Sequence, residues 1–184
     1  MVDRNFAEYE PRRDRPSEAP PQVQIRLGTH GDIDACVRLL SQFSATDGES
    51  WHQTLARTVD DGEQRALFVA ELDETLLGYG RAVRVNETGS EGNPAPAGWY
   101  LLGVVVGQEW RRRGVGAALT RSRLEWIAER ADTCWCFIHA ANRASIDLHA
   151  RFGFVEVSRD QSLPGMPNPD RQEVLFRLDL SGPR

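Results

Sequence analysis

Three arginines and two glycines, Arg111-Arg112-Arg113-Gly114-Val115-Gly116, follow an apolar run that ends in Val104-Val105-Val106. That run is short and β-branched and reads as a buried strand. Beyond the glycines, Ala117-Ala118-Leu119 continues at helical spacing through Leu124 and Ile127. A strand passing through a glycine turn into a helix start gathers backbone N–H groups without carbonyl partners, and the helix dipole adds positive potential there. Such a turn can seat a pyrophosphate, and glycines at 114 and 116 hold no Cβ between the ligand and the backbone. The stretch from Trp99 to Thr120 thus reads as a phosphate-binding strand, turn and helix.

Two common phosphate loops do not fit. A Walker loop needs Gly-Lys-Ser/Thr before its helix, whereas Ala117-Ala118 follows Gly116; a dinucleotide fingerprint needs a third glycine where Leu119 stands. What remains, Arg111-x-x-Gly114-x-Gly116, resembles the acetyl-CoA pyrophosphate loop of the GNAT superfamily of N-acetyltransferases. A second segment agrees: Ala140-Ala-Asn-Arg-Ala-Ser-Ile-Asp-Leu-His-Ala-Arg-Phe-Gly-Phe154 places Asn142, Ser145, His149 and Gly153-Phe154 at that family's offsets. The resemblance runs roughly from Gln24 to Leu180 and is strongest from Leu102 to Phe154.

The resemblance implies an α/β (α+β) GNAT fold, a mixed, mostly antiparallel sheet of about seven strands flanked by about four helices. It implies acetyl-CoA as cosubstrate and no metal. The pyrophosphate would lie on the backbone from Arg112 to Ala117, that is Arg112, Arg113, Gly114, Val115, Gly116 and Ala117, with Arg111 opening the motif. The pantetheine arm would run as a pseudo-strand along Val104, Val105 and Val106, because its two amides can pair with a free strand edge. Asn142 and Ser145 complete the cofactor set. A substrate amine would attack the thioester directly, with a backbone oxyanion donor near Val106.

The residue roles depart from the family in two places. The leaving thiolate's proton donor is usually tyrosine, and here His149 occupies that position; a packed histidine is as good a reading, with Tyr100 and Tyr79 as spare hydroxyls. No carboxylate stands between Trp99 and Val106 to act as base, which leaves a water chain or Asp47, Glu49 or Glu87. An acyl-CoA-binding module with little turnover is therefore the rival to an enzyme.

The acceptor is expected between the first helices and the loops flanking the sheet, where Asp47, Glu49, Trp51, His52, Glu87, Glu91, Asp160 and Asp170 fall. Acidic groups beside an aromatic suit a small cationic amine. An aminoglycoside antibiotic, kasugamycin-like compounds included, matches that expectation; polyamines and protein N-termini are the alternatives.

Element by element, residues 1–22 mix Pro, Arg, Asp and Glu and read as a disordered or surface-lying tail before a single domain at 23–181. A strand from Val23 is followed by a capping-box variant, Thr29 to Asp32, and a helix with Ile33, Cys36, Val37 and Leu40 on its apolar face. A second helix covers about Ser50 to Val59. Strands at Ala66–Leu72 and Leu76–Val85 form a hairpin, and Asn86 to Gly98 reads as a flexible loop. The pyrophosphate helix is expected to reach about Ala131, followed by strand, helix and two strands. The three cysteines include Cys134 and Cys136 on one face of a strand. With His139 they fit no zinc spacing, so buried reduced thiols are expected. The net charge of -5 argues against nucleic acid or an anionic membrane as partner. No signal-peptide core or ~20-residue apolar run is visible, so the cytoplasm is the expected compartment. Self-association as a homodimer is left open.

Overall fold

The computed structural model describes residues 22–43, 47–86, 93–163 and 168–182. The tail and Glu87 and Glu91 lie outside the described residues. Seven strands form one sheet in the order β1-β2-β3-β4-β5-β7-β6. They are β1 (Gln24–Leu27), β2 (Arg65–Leu72), β3 (Thr75–Val85), β4 (Gly98–Val106), β5 (Thr133–His139), β6 (Val155–Ser158) and β7 (Glu173–Asp179). All neighbours run antiparallel except β4 and β5. The helices are α1 (Ile33–Ser41), α2 (Gly48–Asp60), α3 (Val115–Ala128) and α4 (Arg143–Ala150). The expected element order is observed, and the fold is that of the GNAT family.

Strand alternation divides the core between the two faces of the sheet. On one face Val115, Leu119, Leu124 and Ile127 of α3 pack on Phe68, Ala82, Trp99, Leu101, Cys134 and Cys136. On the other, Ile33, Cys36, Leu39 and Leu55 of α1 and α2 cover Leu67, Val69 and Tyr79. A separate cluster on this second face joins Tyr100 to Ala95, Leu163 and Leu175. Trp135 packs with that cluster while Cys134 and Cys136 face α3, as their spacing predicts. All three thiols are buried and free, and burial pushes Cys36 and Cys134 up to about 12.

The expected Thr29–Asp32 capping box forms, and three details of the elements differ from expectation. The first helix is preceded by a 3-10 turn, His30–Asp32, in which the Asp32 carboxylate accepts from the Thr29 N–H at 2.7 Å and is gripped by two nitrogens of Arg26 at 2.8 Å each. The pyrophosphate helix ends at Ala128, three residues early, in a turn where Arg130 and Ala131 both donate to the Ile127 carbonyl. Residues 93–97 are anchored: Ala95 is buried, its N–H donates to Ser162 O at 3.0 Å, and the Ser162 N–H donates to Asn93 O at 3.2 Å.

Among the described residues no helix is long and apolar enough to cross a membrane. No cluster of three or more His, Cys, Asp or Glu side chains could hold a metal ion there.

Candidate functional site

The turn before α3 is wound for anion binding. Arg112 has φ +62° and Gly114, the residue capping α3, has φ +82°, both left-handed. Left-handed residues alternating with right-handed ones turn successive N–H groups into one concavity. Ala118 is the first residue to close a helical bond, to Gly114 O at 2.9 Å, so the N–H groups of Val115, Gly116 and Ala117 have no carbonyl in their own helix. At Gly116 a Cβ would make only ordinary contacts, 3.6 Å from Leu148 and 3.8 Å from Val106.

The three arginines divide. Arg111 donates from Nε to Val106 O at 3.3 Å and stacks over the Phe43 ring at 4.1 Å, so its half-buried guanidinium fastens the end of β4. Arg112 and Arg113 are exposed, the latter 5.3 Å from the Trp110 ring, and they supply the positive rim.

A wedge opens beside this turn. β4 and β5 pair only from Trp99↔Cys134 to Leu101↔Cys136, although β4 continues to Val106 and β5 to His139. The Gly107 N–H crosses to Leu77 O of β3 at 2.8 Å. Backbone groups alternate in direction along an antiparallel strand, so Val106 and Val104 turn theirs to the opposite edge, where β5 has departed. The divergence coincides with a bulge. Gly80 pairs with Val104 and Arg81 with Leu102, which leaves Gly103 extra, at φ +61°.

The bulge is held from beneath by Arg123 of α3, a residue sequence reading passed over. It is 1% exposed, donating at 3.2 Å to Gly103 O, 3.3 Å to Arg81 O, 3.1 Å to Leu119 O and 3.2 Å to the Thr120 hydroxyl. Among the described residues no carboxylate pairs with it, and burial lowers its pKa to about 10. Gly80 makes the room: a Cβ there would stand 2.8 Å from the guanidinium carbon. Gly103 was a readable signal, since glycine inside an apolar strand marks a bulge; a charge on the buried face of α3 was not.

The second cofactor segment builds α4. The Asn142 side chain accepts from the Ser145 N–H at 3.1 Å and caps the helix, which commits its oxygen to structure. His149 is 5% exposed and edge-on to Phe154 at 5.3 Å. Its Nδ1 lies 2.8 Å from Ser145 O, an acceptor only, so Nδ1 carries the hydrogen and Nε2 is bare. Burial pushes the imidazole down to about 4, with Arg123 adding to the effect and the Ser145 bond opposing it. The ring is neutral at neutral pH, the reverse of what a proton donor requires.

A depressed histidine makes the fold acid-labile with a definite sign. The unfolded ring titrates near 6.5 and the folded ring near 4, so the stabilising difference is complete above about 6.5 and is lost as pH falls toward 4. At most this is about 3 kcal/mol. His149→Phe should flatten the fall in urea midpoint between pH 6.5 and 4.5; an equally steep fall in the variant would place the lability elsewhere.

The tyrosines are engaged too. Tyr100 is fully buried, its hydroxyl donating to Pro96 O and its ring stacked on Phe137. Tyr79 is 2% exposed beneath α1 and α2. Burial raises the pKa of both phenols. The structure thus places Tyr100 and His149 in packed positions.

The expected acceptor residues do not form an acidic pocket. Asp47 caps α2 by accepting from the Glu49 N–H at 3.2 Å, Glu49 accepts from Gln53, and His52 sits 3.4 Å from Asp34, all exposed. Asp160 is paired with Arg171 at 3.0 Å. Trp51 alone turns inward, its ring 5.1 Å from the Arg81 guanidinium carbon.

Comparison with known proteins agrees with this geometry. No curated protein sequence matches the chain. The sequence pattern of the acetyltransferase (GNAT) family matches residues 35–154. Among solved structures, a ribosomal-protein-alanine N-acetyltransferase from Brucella melitensis is 22% identical with TM-score 0.64, over 85% of this chain and 99% of its own. The ribosomal-protein-S18-alanine N-acetyltransferase of Escherichia coli is 20% identical with TM-score 0.63, over 88% and 96%. PaiA N-acetyltransferase from Thermoplasma acidophilum, in complex with coenzyme A, is 14% identical with TM-score 0.63, over 85% and 98%. With a left-handed turn into α3, a splayed central pair of strands and a family match over most of its length, this chain belongs to the GNAT family of acetyltransferases.

Proposed function

We propose that the protein transfers an acetyl group from acetyl-CoA to a primary amine by direct attack on the thioester. The observation that carries this is the Val104–Val106 edge, which β5 leaves without a strand partner, lying beside the left-handed turn at Arg112–Gly114. The N–H groups from Arg112 to Ala117 hold the pyrophosphate, and Val104 and Val106 pair with the pantetheine amides. Acetyl-CoA supplies an acyl group activated as a thioester. The edge N–H groups next to the bulge stabilise the negative charge that grows on the carbonyl oxygen, in a place fixed by Arg123.

Proton movement falls to water. His149 has no hydrogen on Nε2 and Tyr100 is bonded to Pro96, so neither protonates the departing thiolate. As the N–C bond forms and the C–S bond breaks, the nitrogen sheds one proton and the departing thiolate, whose thiol has a pKa near 8.5, takes up one, so water can pass that proton between them. His149→Phe should therefore keep kcat within about threefold, and the wild-type rate should rise with pH as the amine deprotonates; a 10²-fold loss, the scale for a positioned acid, would restore His149 to the mechanism.

Neither the acid groups at the start of α2 nor the relatives support an aminoglycoside acceptor. Thiol release from acetyl-CoA, measured against aminoglycosides, polyamines, amino acids and ribosomal N-terminal peptides, tests the reading. Coenzyme A binding without thiol release from any amine would instead favour a binding module, the reading that the engaged His149 and Tyr100 motivate.

A further inference from the structure

On the α1/α2 face of the sheet, the cluster under those helices and the cluster around Tyr100 are separated by a single cation. Arg81 of β3 follows Tyr79 on the same face, and the next residue on that face, Val83, pairs with Tyr100. Arg81 itself pairs with Leu102, adjacent to the extra residue Gly103, which places it on the α1/α2 floor of the sheet beside the bulge. It is half-buried, and one guanidinium face is covered by Trp51 at 5.1 Å. Among the described residues its guanidinium meets the Trp51 ring and no hydrogen-bond acceptor, and its nitrogens reach solvent. Burial lowers its pKa, and no carboxylate among the described residues offsets that.

Arg123, on the opposite face, shows what the fold does with a buried guanidinium that has only structural work: each nitrogen finds an oxygen. Arg81 has five donors and only the Trp51 ring. A planar fork left without a protein partner is matched by a carboxylate held through two N–H groups. A polyamine or aminoglycoside would bring like charge to this floor, and the acidic residues expected to receive it lie at the exposed start of α2.

We propose that the acceptor is an amino-carboxylate, a small molecule whose primary amine lies within a few bonds of a carboxylate, and that Arg81 binds this carboxylate while Trp51 walls the side-chain space. The proposal rests on the acetyl-transfer reading and deepens it. Holding the carboxylate on β3 sets the amine toward the neighbouring β4 edge, where the acyl carbonyl would lie.

The test uses the full chain saturated with coenzyme A and compares glycine, L-alanine, L-phenylalanine and L-glutamate with their α-amides by calorimetry, in parallel with thiol release from acetyl-CoA. At least one free acid should bind at least tenfold tighter than its amide. Arg81→Met should erase that difference and Arg81→Lys should keep part of it, with the coenzyme A dissociation constant unchanged in both and folding checked by thermal melting. Acids that bind no better than amides, or a preference that survives Arg81→Met, would overturn the proposal. Thiol release with polyamines or peptides, but no binding of any amino acid, would overturn it while leaving acetyl transfer standing. Acid binding without thiol release would support the Arg81 site and sink the transfer reading.

Discussion

Gly114→Glu and Gly116→Glu are each expected to raise the coenzyme A dissociation constant by at least about 100-fold, a loss near 3 kcal/mol. A carboxylate would stand where the pyrophosphate must lie, among N–H groups that then serve it instead. The two positions differ in a checkable way. Gly114 is at φ +82°, so even alanine is strained there, whereas alanine at 116 meets Leu148 at 3.6 Å and Val106 at 3.8 Å, ordinary contacts. Gly114→Ala should therefore lower both stability and affinity, while Gly116→Ala keeps the fold and weakens binding less. Calorimetry with coenzyme A reads the affinity and thermal melting the stability. An unchanged dissociation constant in either glutamate variant would remove the turn from the site.

Arg123→Met should lower kcat by about 10- to 100-fold while leaving coenzyme A affinity within a few-fold, since displacement of an aligned group by an ångström is worth about that much. Methionine fills the channel under the bulge but leaves Gly103 O and Arg81 O without a donor. Its effect on stability is expected to be small, because the buried cation's own desolvation cost disappears with it. Gly80→Ala should give the same phenotype from the other side, as its Cβ would stand 2.8 Å from the Arg123 guanidinium carbon. The double variant should be little worse than either single one, the non-additivity expected of groups that act together. Additive losses, or a coenzyme A affinity that falls with kcat, would show that Arg123 holds something other than the bulge.

The parts of the fold that were legible in the sequence are those written in local pattern. The β-branched run into Gly114 and Gly116 identified strand, turn and helix because all three signals lie within some twenty residues. The Cys134/Cys136 alternation predicted which face each would take. What was hidden depends on partners distant in the chain. Arg81 and Arg123 are forty-two residues apart and meet through one carbonyl, and nothing in either neighbourhood says that one guanidinium is saturated and the other is not. Asp47 and Glu49 read as a binding pocket from composition, and composition did not show that they also build the cap and first turn of α2. His149 stood at the family's acid position, yet its tautomer is set by the Ser145 carbonyl four residues earlier, a helical contact that spacing allows but residue type does not reveal.

The most direct measurement of the central claim is a titration of the isotope-labelled protein with coenzyme A, followed through its backbone amide resonances. The account predicts that the largest shifts fall on the amides from Arg112 to Ala117 and on Val104 and Val106, with little change along β1, β2 and α1. Shifts centred on Arg26, Arg38 and Glu71 at the far edge of the sheet, with the Gly114 turn silent, would contradict it.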